Sequence, residues 1–243
     1  MQDSKTMRPL AGELLLAAWE EGTAEHDLGR ALTMLVTALP DADRKQLAAL
    51  PIAERNLLLL RLHELTFGPL LSVFGVCPKC GMQFEFAVSA VELTAHVEGQ
   101  SPAAQVTWHE DGRQYRLRAV NTDDLLATVG VRETGAAQEL LLARCLEVSP
   151  AAGRGTAPTA VLRRFEQLNA ASELSSSIDC PGCSSREFLD LDLACFLWME
   201  VRNSARKLLG EIHQLASAYG WSERAIAEMA AGRRAAYLEM LSR

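Results

Sequence analysis

Aromatic residues make up only 6% of the 243-residue chain, and positive charge is short: 24 Lys and Arg against 31 Asp and Glu, a formal net charge of −7. Proteins that bind nucleic acid by neutralising phosphates carry a basic surplus, so that class is disfavoured at once. No run approaches the roughly 18 uninterrupted apolar residues of a membrane span. The most apolar early stretch, Leu14-Leu15-Leu16-Ala17-Ala18-Trp19, is bracketed by Glu13 and Glu20-Glu21. It is too short, and wrongly flanked, for the apolar region of an export signal. Six cysteines are too few for a disulfide scaffold of this length. Without an export signal, the thiols are expected to stay reduced in the cytoplasm. No GxGxxG, P-loop, GxSxG or HExxH occurs, so catalysis has no residue constellation to rest on and the chain reads as a non-enzyme. What is present is a composition 49% hydrophobic and 23% charged, that of a folded globular protein with one large domain or two smaller ones.

The first 70 residues read as helical. Residues 10–19 are Leu- and Ala-rich and end near Gly22; residues 28–39 follow, stopped by Pro40-Asp41. Pro51 stands at a first helical position with Glu54 in the first turn, and Gly68-Pro69 ends that helix. Leu57, Leu58, Leu62 and Leu65 have helical spacing and predict its core-facing side. The pattern then shortens to strands at 71–74 and 82–88, where Phe84, Phe86 and Val88 alternate with polar positions. Residues 106–109 and 115–120 flank Asp111-Gly112, a strong hairpin signal. Asn121 or Thr122 caps a following helix, and another is predicted over 136–146. Residues 150–158 are the best linker candidate. A helix around 159–171, a Ser-rich run at 172–177 and a strand at 187–189 come next. A long helix over 194–219 then carries Leu197, Val201, Ala205, Leu208, Ile212, Leu215 and Tyr219 on one face. Gly220 ends it, and Ser222 with Glu223 caps the last helix or helix pair.

The chemistry lies in Cys77-Pro78-Lys79-Cys80-Gly81 and Cys180-Pro181-Gly182-Cys183. In a CPxC knuckle two thiolates share one tight turn, and two knuckles supply the four soft ligands of a tetrahedral Zn²⁺ site. Each pair lies between strand-like runs, the context of a zinc ribbon. The inner cysteines are 100 positions apart, against about 15–20 in ordinary ribbons. Closing a loop of about 100 residues costs on the order of 4–5 kcal/mol, whereas structural zinc contributes roughly 10–16 kcal/mol at neutral pH. One four-cysteine zinc with a folded segment inserted between its knuckles therefore follows. Cys77, Cys80, Cys180 and Cys183 are its expected ligands; four sulfurs leave no open position for substrate. The residues leave three other readings open: redox-active pairs, unmetallated thiols, or two sites with other ligands. Strands after both pairs oppose the first, and His96 and His109 lack ligand spacing for the last. Cys145 and Cys195 read as small buried hydrophobes, and Arg233-Arg234 as solvated helix charge.

The expected fold is thus α+β and mostly helical. Its parts are an N-terminal helical region (1–70), two halves of one ribbon (71–90 and 174–193), an inserted α+β segment (91–173) and C-terminal helices (194–243).

Several segments together resemble a known family. They are Leu57-Leu58-Leu59-Leu60-Arg61-Leu62-His63-Glu64-Leu65-Thr66-Phe67-Gly68-Pro69 running into the first knuckle, the second knuckle, and Leu191-Asp192-Leu193-Ala194-Cys195-Phe196-Leu197-Trp198. To these are added Ile212-His213-Gln214-Leu215-Ala216-Ser217-Ala218-Tyr219-Gly220-Trp221-Ser222-Glu223 and Arg233-Arg234-Ala235-Ala236-Tyr237-Leu238. The chain is similar, from about residue 28 onward, to the baseplate-protein family of contractile-tailed bacteriophages, also encoded in bacterial extracellular contractile injection system clusters. The resemblance implies a non-enzymatic structural or assembly component of a phage-tail-like baseplate, with baseplate, spike or tail proteins as partners. The family's knuckles map onto Cys77, Cys80, Cys180 and Cys183; Ser184-Ser185 departs from the glycine usual after the second pair. The alternative function is a zinc-ribbon nucleic-acid-binding regulator, which the negative charge opposes. The long helix and the Tyr219-Gly220-Trp221 corner are the candidate partner surfaces, against the simpler expectation that they pack on the protein's own core.

Overall fold

The computed structural model describes residues 7–100, 104–110, 112–149 and 159–242. The elements run α1 (Glu13–Thr23), α2 (Asp27–Ala38), α3 (Arg44–Ala49), α4 (Ile52–Phe67), β1 (Leu70–Val76), β2 (Gln83–Ser89) and α5 (Ala90–Gln100). Then follow β3 (Gln105–Glu110), β4 (Arg113–Arg118), α6 (Thr122–Thr128), α7 (Thr134–Cys145), β5 (Leu146–Ser149) and α8 (Thr159–Asn169). The chain closes with β6 (Ser175–Asp179), β7 (Arg186–Asp190), α9 (Leu193–Tyr219), α10 (Glu223–Ala227) and α11 (Ala231–Leu241). The described residues are mostly helical, with small antiparallel sheets β1–β2, β3–β4–β5 and β6–β7. The predicted linker at 150–158 lies outside them. None of their helices is long and apolar enough to cross a membrane.

The chain divides into two compact units, one formed by Met1–Ala42 with Ala194–Arg243, the other by Asp43–Leu193. The helical region read as residues 1–70 is therefore shared: α1 and α2 belong to the first unit, α3 and α4 to the second.

In the first unit the predicted stripe of α9 is buried from Leu197 through Leu215, and only Tyr219 at its end is 37% exposed. Trp198 explains the sequence of α1. A Cβ on Gly22 would lie 2.5 Å from the indole ring, so glycine is what lets the ring approach that helix so closely. Arg30 covers the ring from α2, its guanidinium 4.9 Å from the centroid. Its Nε also donates to the Gly22 carbonyl at 3.0 Å, tying the cation–π contact to a satisfied helix end. Gly220, at φ +69°, ends α9. Ser222 then caps α10 by accepting from the Ala225 N–H at 3.3 Å. At this corner Tyr219 stacks on Trp221 at 4.6 Å, and Tyr237 of α11 meets Trp221 edge-on at 4.9 Å.

Two expectations fail here. Arg234 is not solvated: it is 9% exposed, its Nε donates to Glu211 of α9 at 2.8 Å, and its guanidinium also donates to the Met229 carbonyl. A basic residue buries when a carboxylate and a free carbonyl both meet its fork. Cys195 is exposed, because it follows Ala194 on the side of α9 away from the Leu197–Val201 stripe.

In the second unit α4 buries Leu62 of its predicted stripe but turns the rest of its buried face away from Leu57, Leu58 and Leu65. Ile52, Arg55, Asn56, Leu59, Leu60, Leu62 and His63 point inward, while Leu57, Leu58 and Leu65 are less buried or lie at the edge of that face. Arg55 and Asn56 on this face meet polar partners. Arg55 donates to Thr122 Oγ1 at 3.3 Å and to Asn56 Oδ1 at 3.1 Å, and Asn56 donates to the Ser172 carbonyl at 3.3 Å. Burial lowers the Arg55 pKa, with the charge of Asp192 opposing.

The inserted segment is organised on β3–β4–β5. Glu110 opposes Arg113, the register of a two-residue hairpin connection, and Gly112 sits at φ +72°; Asp111 lies outside the described residues. Leu117 and Tyr115 point into a core with Val120, Leu142, Cys145, Val161 and Leu168. Arg164 of α8 lies 4.6 Å from the Trp108 centroid, and Trp108 stacks on its cross-strand partner Tyr115 at 5.1 Å.

Beside this core α6 begins with a reciprocal cap. Asn121 Oδ1 accepts from the Asp124 N–H at 2.9 Å, and Asp124 Oδ2 accepts from the Asn121 N–H at 3.1 Å. Asp124 is fully buried, yet it also accepts from Arg118 at 2.5 and 2.9 Å and from Arg144 at 2.9 Å.

Candidate metal centre

The two knuckles are built alike although 100 positions apart. In the first, the Gly81 N–H donates to the Cys77 carbonyl at 2.8 Å and the Cys77 N–H to the Met82 carbonyl at 2.9 Å. In the second, the Ser184 N–H donates to the Cys180 carbonyl at 2.8 Å and the Cys180 N–H to the Ser185 carbonyl at 2.9 Å. Each turn sits at the tip of a two-stranded antiparallel ribbon, β1–β2 for one and β6–β7 for the other. Closing the turn requires a left-handed residue after the second cysteine. Gly81 takes φ +73° there, and Ser184 takes φ +55°, the one non-glycine at positive φ among the described residues. Ser184 thus adopts a backbone conformation usual for glycine, at a steric cost of about 1–2 kcal/mol.

The turns bring Cys77, Cys80, Cys180 and Cys183 together, with all four sulfurs within 4.8 Å of one another. Cys77 Sγ lies 3.7 Å from Cys183 Sγ, and Cys80 Sγ lies 3.6 Å from Cys180 Sγ. A disulfide would hold them near 2.05 Å, about half that distance. A metal ion with four sulfurs at about 2.3 Å requires tetrahedral edges of about 3.8 Å. Both close pairs join opposite knuckles and match that edge, so the residues fit one tetrahedral ion shared between the turns. The close approach also accounts for Gly182, since a Cβ there would lie 2.5 Å from Met82 Sδ and 3.6 Å from Cys80 Sγ.

The sulfurs differ electrostatically. The Ser185 hydroxyl, followed by the Cys80 backbone, brings the Cys77 thiol down to about 6. Ser185 likewise lowers Cys183, through its side chain and its backbone. At Cys80 the Met82 backbone, the largest single influence, favours the thiolate; desolvation and the neighbouring cysteines outweigh it and push the thiol up to about 12. Charge on one sulfur thus discourages charge on the next, and a bound cation is what allows all four to ionise together.

The other predicted thiols and imidazoles stay outside this cluster. Cys145 is buried 3.6 Å from Asp124 Oδ2, and burial with that carboxylate pushes its thiol up to about 12. His96 and His109 are exposed on α5 and β3. Sequence reasoning did not assign Ser185, whose hydroxyl lies 3.1 Å from Cys183 Sγ and 3.5 Å from Cys77 Sγ. The clue was the Met82/Ser185 difference between otherwise parallel knuckles.

No protein-family model, curated protein sequence or solved structure matches the chain.

Proposed function

We propose that the chain is a non-enzymatic structural protein stapled by one four-cysteine zinc in a zinc-ribbon arrangement, and that it serves as a component or assembly factor of a phage-tail-like contractile baseplate. The observation that carries the first part is the set of four sulfurs from two like-built turns, with cross-knuckle edges of 3.6 and 3.7 Å. Such a donor set binds Zn²⁺ as thiolates and fills its coordination shell, which favours a structural ion over a catalytic one. The metal draws together residues that the chain holds 100 positions apart.

The baseplate assignment rests on the resemblance of the segments around residues 57–69, 191–198, 212–223 and 233–238, and on a net charge of −7 that suits protein partners better than nucleic acid. Metal analysis tests the first part: about one zinc per chain is expected, and Cys180→Ser should lose it. Full zinc content and an unchanged melting temperature in Cys180→Ser would defeat the single-site reading. Co-purification with sheath, spike or other baseplate proteins tests the second part. A chain recovered alone from a lysate containing intact particles would count against it.

A further inference from the structure

The two knuckles share their backbone hydrogen bonds but not their last residue: Met82 in one, Ser185 in the other. We propose that Ser185 is a positioning residue of the metal site, its hydroxyl donating to the Cys183 thiolate, with the Cys77 sulfur of the other knuckle close behind, and setting the donor strength of that ligand. The inference rests on the four-cysteine reading above and deepens it. The direction of the hydrogen bond follows from the chemistry, because a metal-bound cysteine is a thiolate with no proton to give. The hydroxyl must therefore be the donor. Cys183 Sγ, at 3.1 Å, is its principal acceptor, and Cys77 Sγ, at 3.5 Å, lies beyond on the opposite turn. The backbone holds the hydroxyl in place: the Ser185 carbonyl accepts the Cys180 N–H at 2.9 Å, and the left-handed Ser184 precedes it.

The second sulfur pair is served differently. Cys180 Sγ receives the Gly182 N–H at 3.4 Å, and methionine at position 82 has no proton to offer Cys80. A hydroxyl thus reaches one cross-knuckle edge of the tetrahedron, while the other relies on backbone amides. Charge-assisted donation stabilises a thiolate and fixes its orientation, so the Cys77/Cys183 edge is the better pre-organised of the two.

The test uses the full chain and its Ser185→Ala and Ser185→Thr variants, loaded with Co²⁺ for spectroscopy and with Zn²⁺ for chelator competition. In Ser185→Ala the thiolate-to-cobalt charge-transfer bands should move to longer wavelength, and zinc affinity should fall by roughly 10- to 100-fold. Ser185→Thr, which keeps the hydroxyl, should restore both. Unchanged bands and affinity in Ser185→Ala would overturn the proposal. So would failure of Ser185→Thr to restore them, which would mark Ser185 as a small residue needed only for the turn. A wild-type chain that shows no charge-transfer band would instead overturn the four-cysteine reading itself, taking this proposal with it.

Discussion

Replacing Asp124 with asparagine removes one negative charge from a fully buried position while keeping its shape. The carboxylate receives Arg118 at 2.5 and 2.9 Å, Arg144 at 2.9 Å and the Asn121 N–H at 3.1 Å. Burial, the largest single influence, acts to raise its pKa. Arg118, the Asn121 amide and Arg144 together override it and hold the group at about 2, against 3.8 ordinarily. As pH falls the unfolded chain takes up its proton near 3.8 and the folded chain only near 2. The stabilisation is therefore complete above about pH 5 and lost between about pH 4 and 2. At about 1.36 kcal/mol per pH unit, that gap is worth about 2 kcal/mol. Asp124→Asn should cost more at pH 7, about 3–5 kcal/mol, because it leaves two guanidiniums facing an amide that can donate as well as accept. Urea unfolding of both chains, followed by circular dichroism at pH 7 and across pH 5–2, measures both effects. The variant should be less stable at pH 7 and show a shallower loss on acidification. Equal stability at pH 7, or an unchanged acid slope, would refute the account.

Gly81→Ala should cost about 1–2 kcal/mol for backbone conformation alone, since a Cβ there meets nothing within 4 Å; thermal unfolding of the zinc-loaded chain measures it. Ser184→Gly, at φ +55°, should gain up to about 1 kcal/mol in the same assay, part of the relief being offset by unfolded-chain entropy. Gly22→Ala should destabilise the first unit by about 1–3 kcal/mol through its clash with the Trp198 ring. Tryptophan fluorescence during denaturation reports it, and wild-type stability would show that the ring can shift. Chelation of the metal should increase thiol alkylation at Cys77, Cys80, Cys180 and Cys183 while leaving buried Cys145 protected; mass mapping of the labelled cysteines checks the pattern.

Local rules carried the sequence reading far where the determinants were themselves local. Each knuckle, the hairpin register at 110–113 and the Asn121 cap are set within a few neighbouring residues, and the α9 stripe from Leu197 to Leu215 within one helix, and these turn up where expected. The α4 face is legible only at Leu62, because its other inward positions include Arg55, Asn56 and His63. Arg55 and Asn56 find partners in Thr122 and Ser172, 67 and 116 positions away, which no periodicity can register. Helix α5 went unseen because it has only Ala90, Leu93 and Val97 to bury and follows β2 with no glycine or proline between. Its signal was Ser89, whose hydroxyl accepts the Glu92 N–H at 3.3 Å. Strand β5 was hidden for a related reason: α7 ends at Cys145 and the chain enters the sheet at Leu146 without a turn. Arg234 buries through Glu211, a partner 23 residues away on another helix.

The spacing of the knuckles acquires a second meaning when the chain is followed as it is made. At about 5–20 residues per second, Cys180 leaves the ribosome about 5–20 s after Cys80, its partner 100 positions earlier. Throughout that interval the first turn has only two of its four sulfurs, and the segment destined to lie between the turns is already emerging. The unit that joins α1 and α2 to α9 waits longer for its parts, because α1 and α2 precede residue 43 and α9 runs on from residue 193. Synthesis therefore makes the parts available in order: the inserted segment first, the second pair of sulfurs next, and the α9 partner of the earliest helices last.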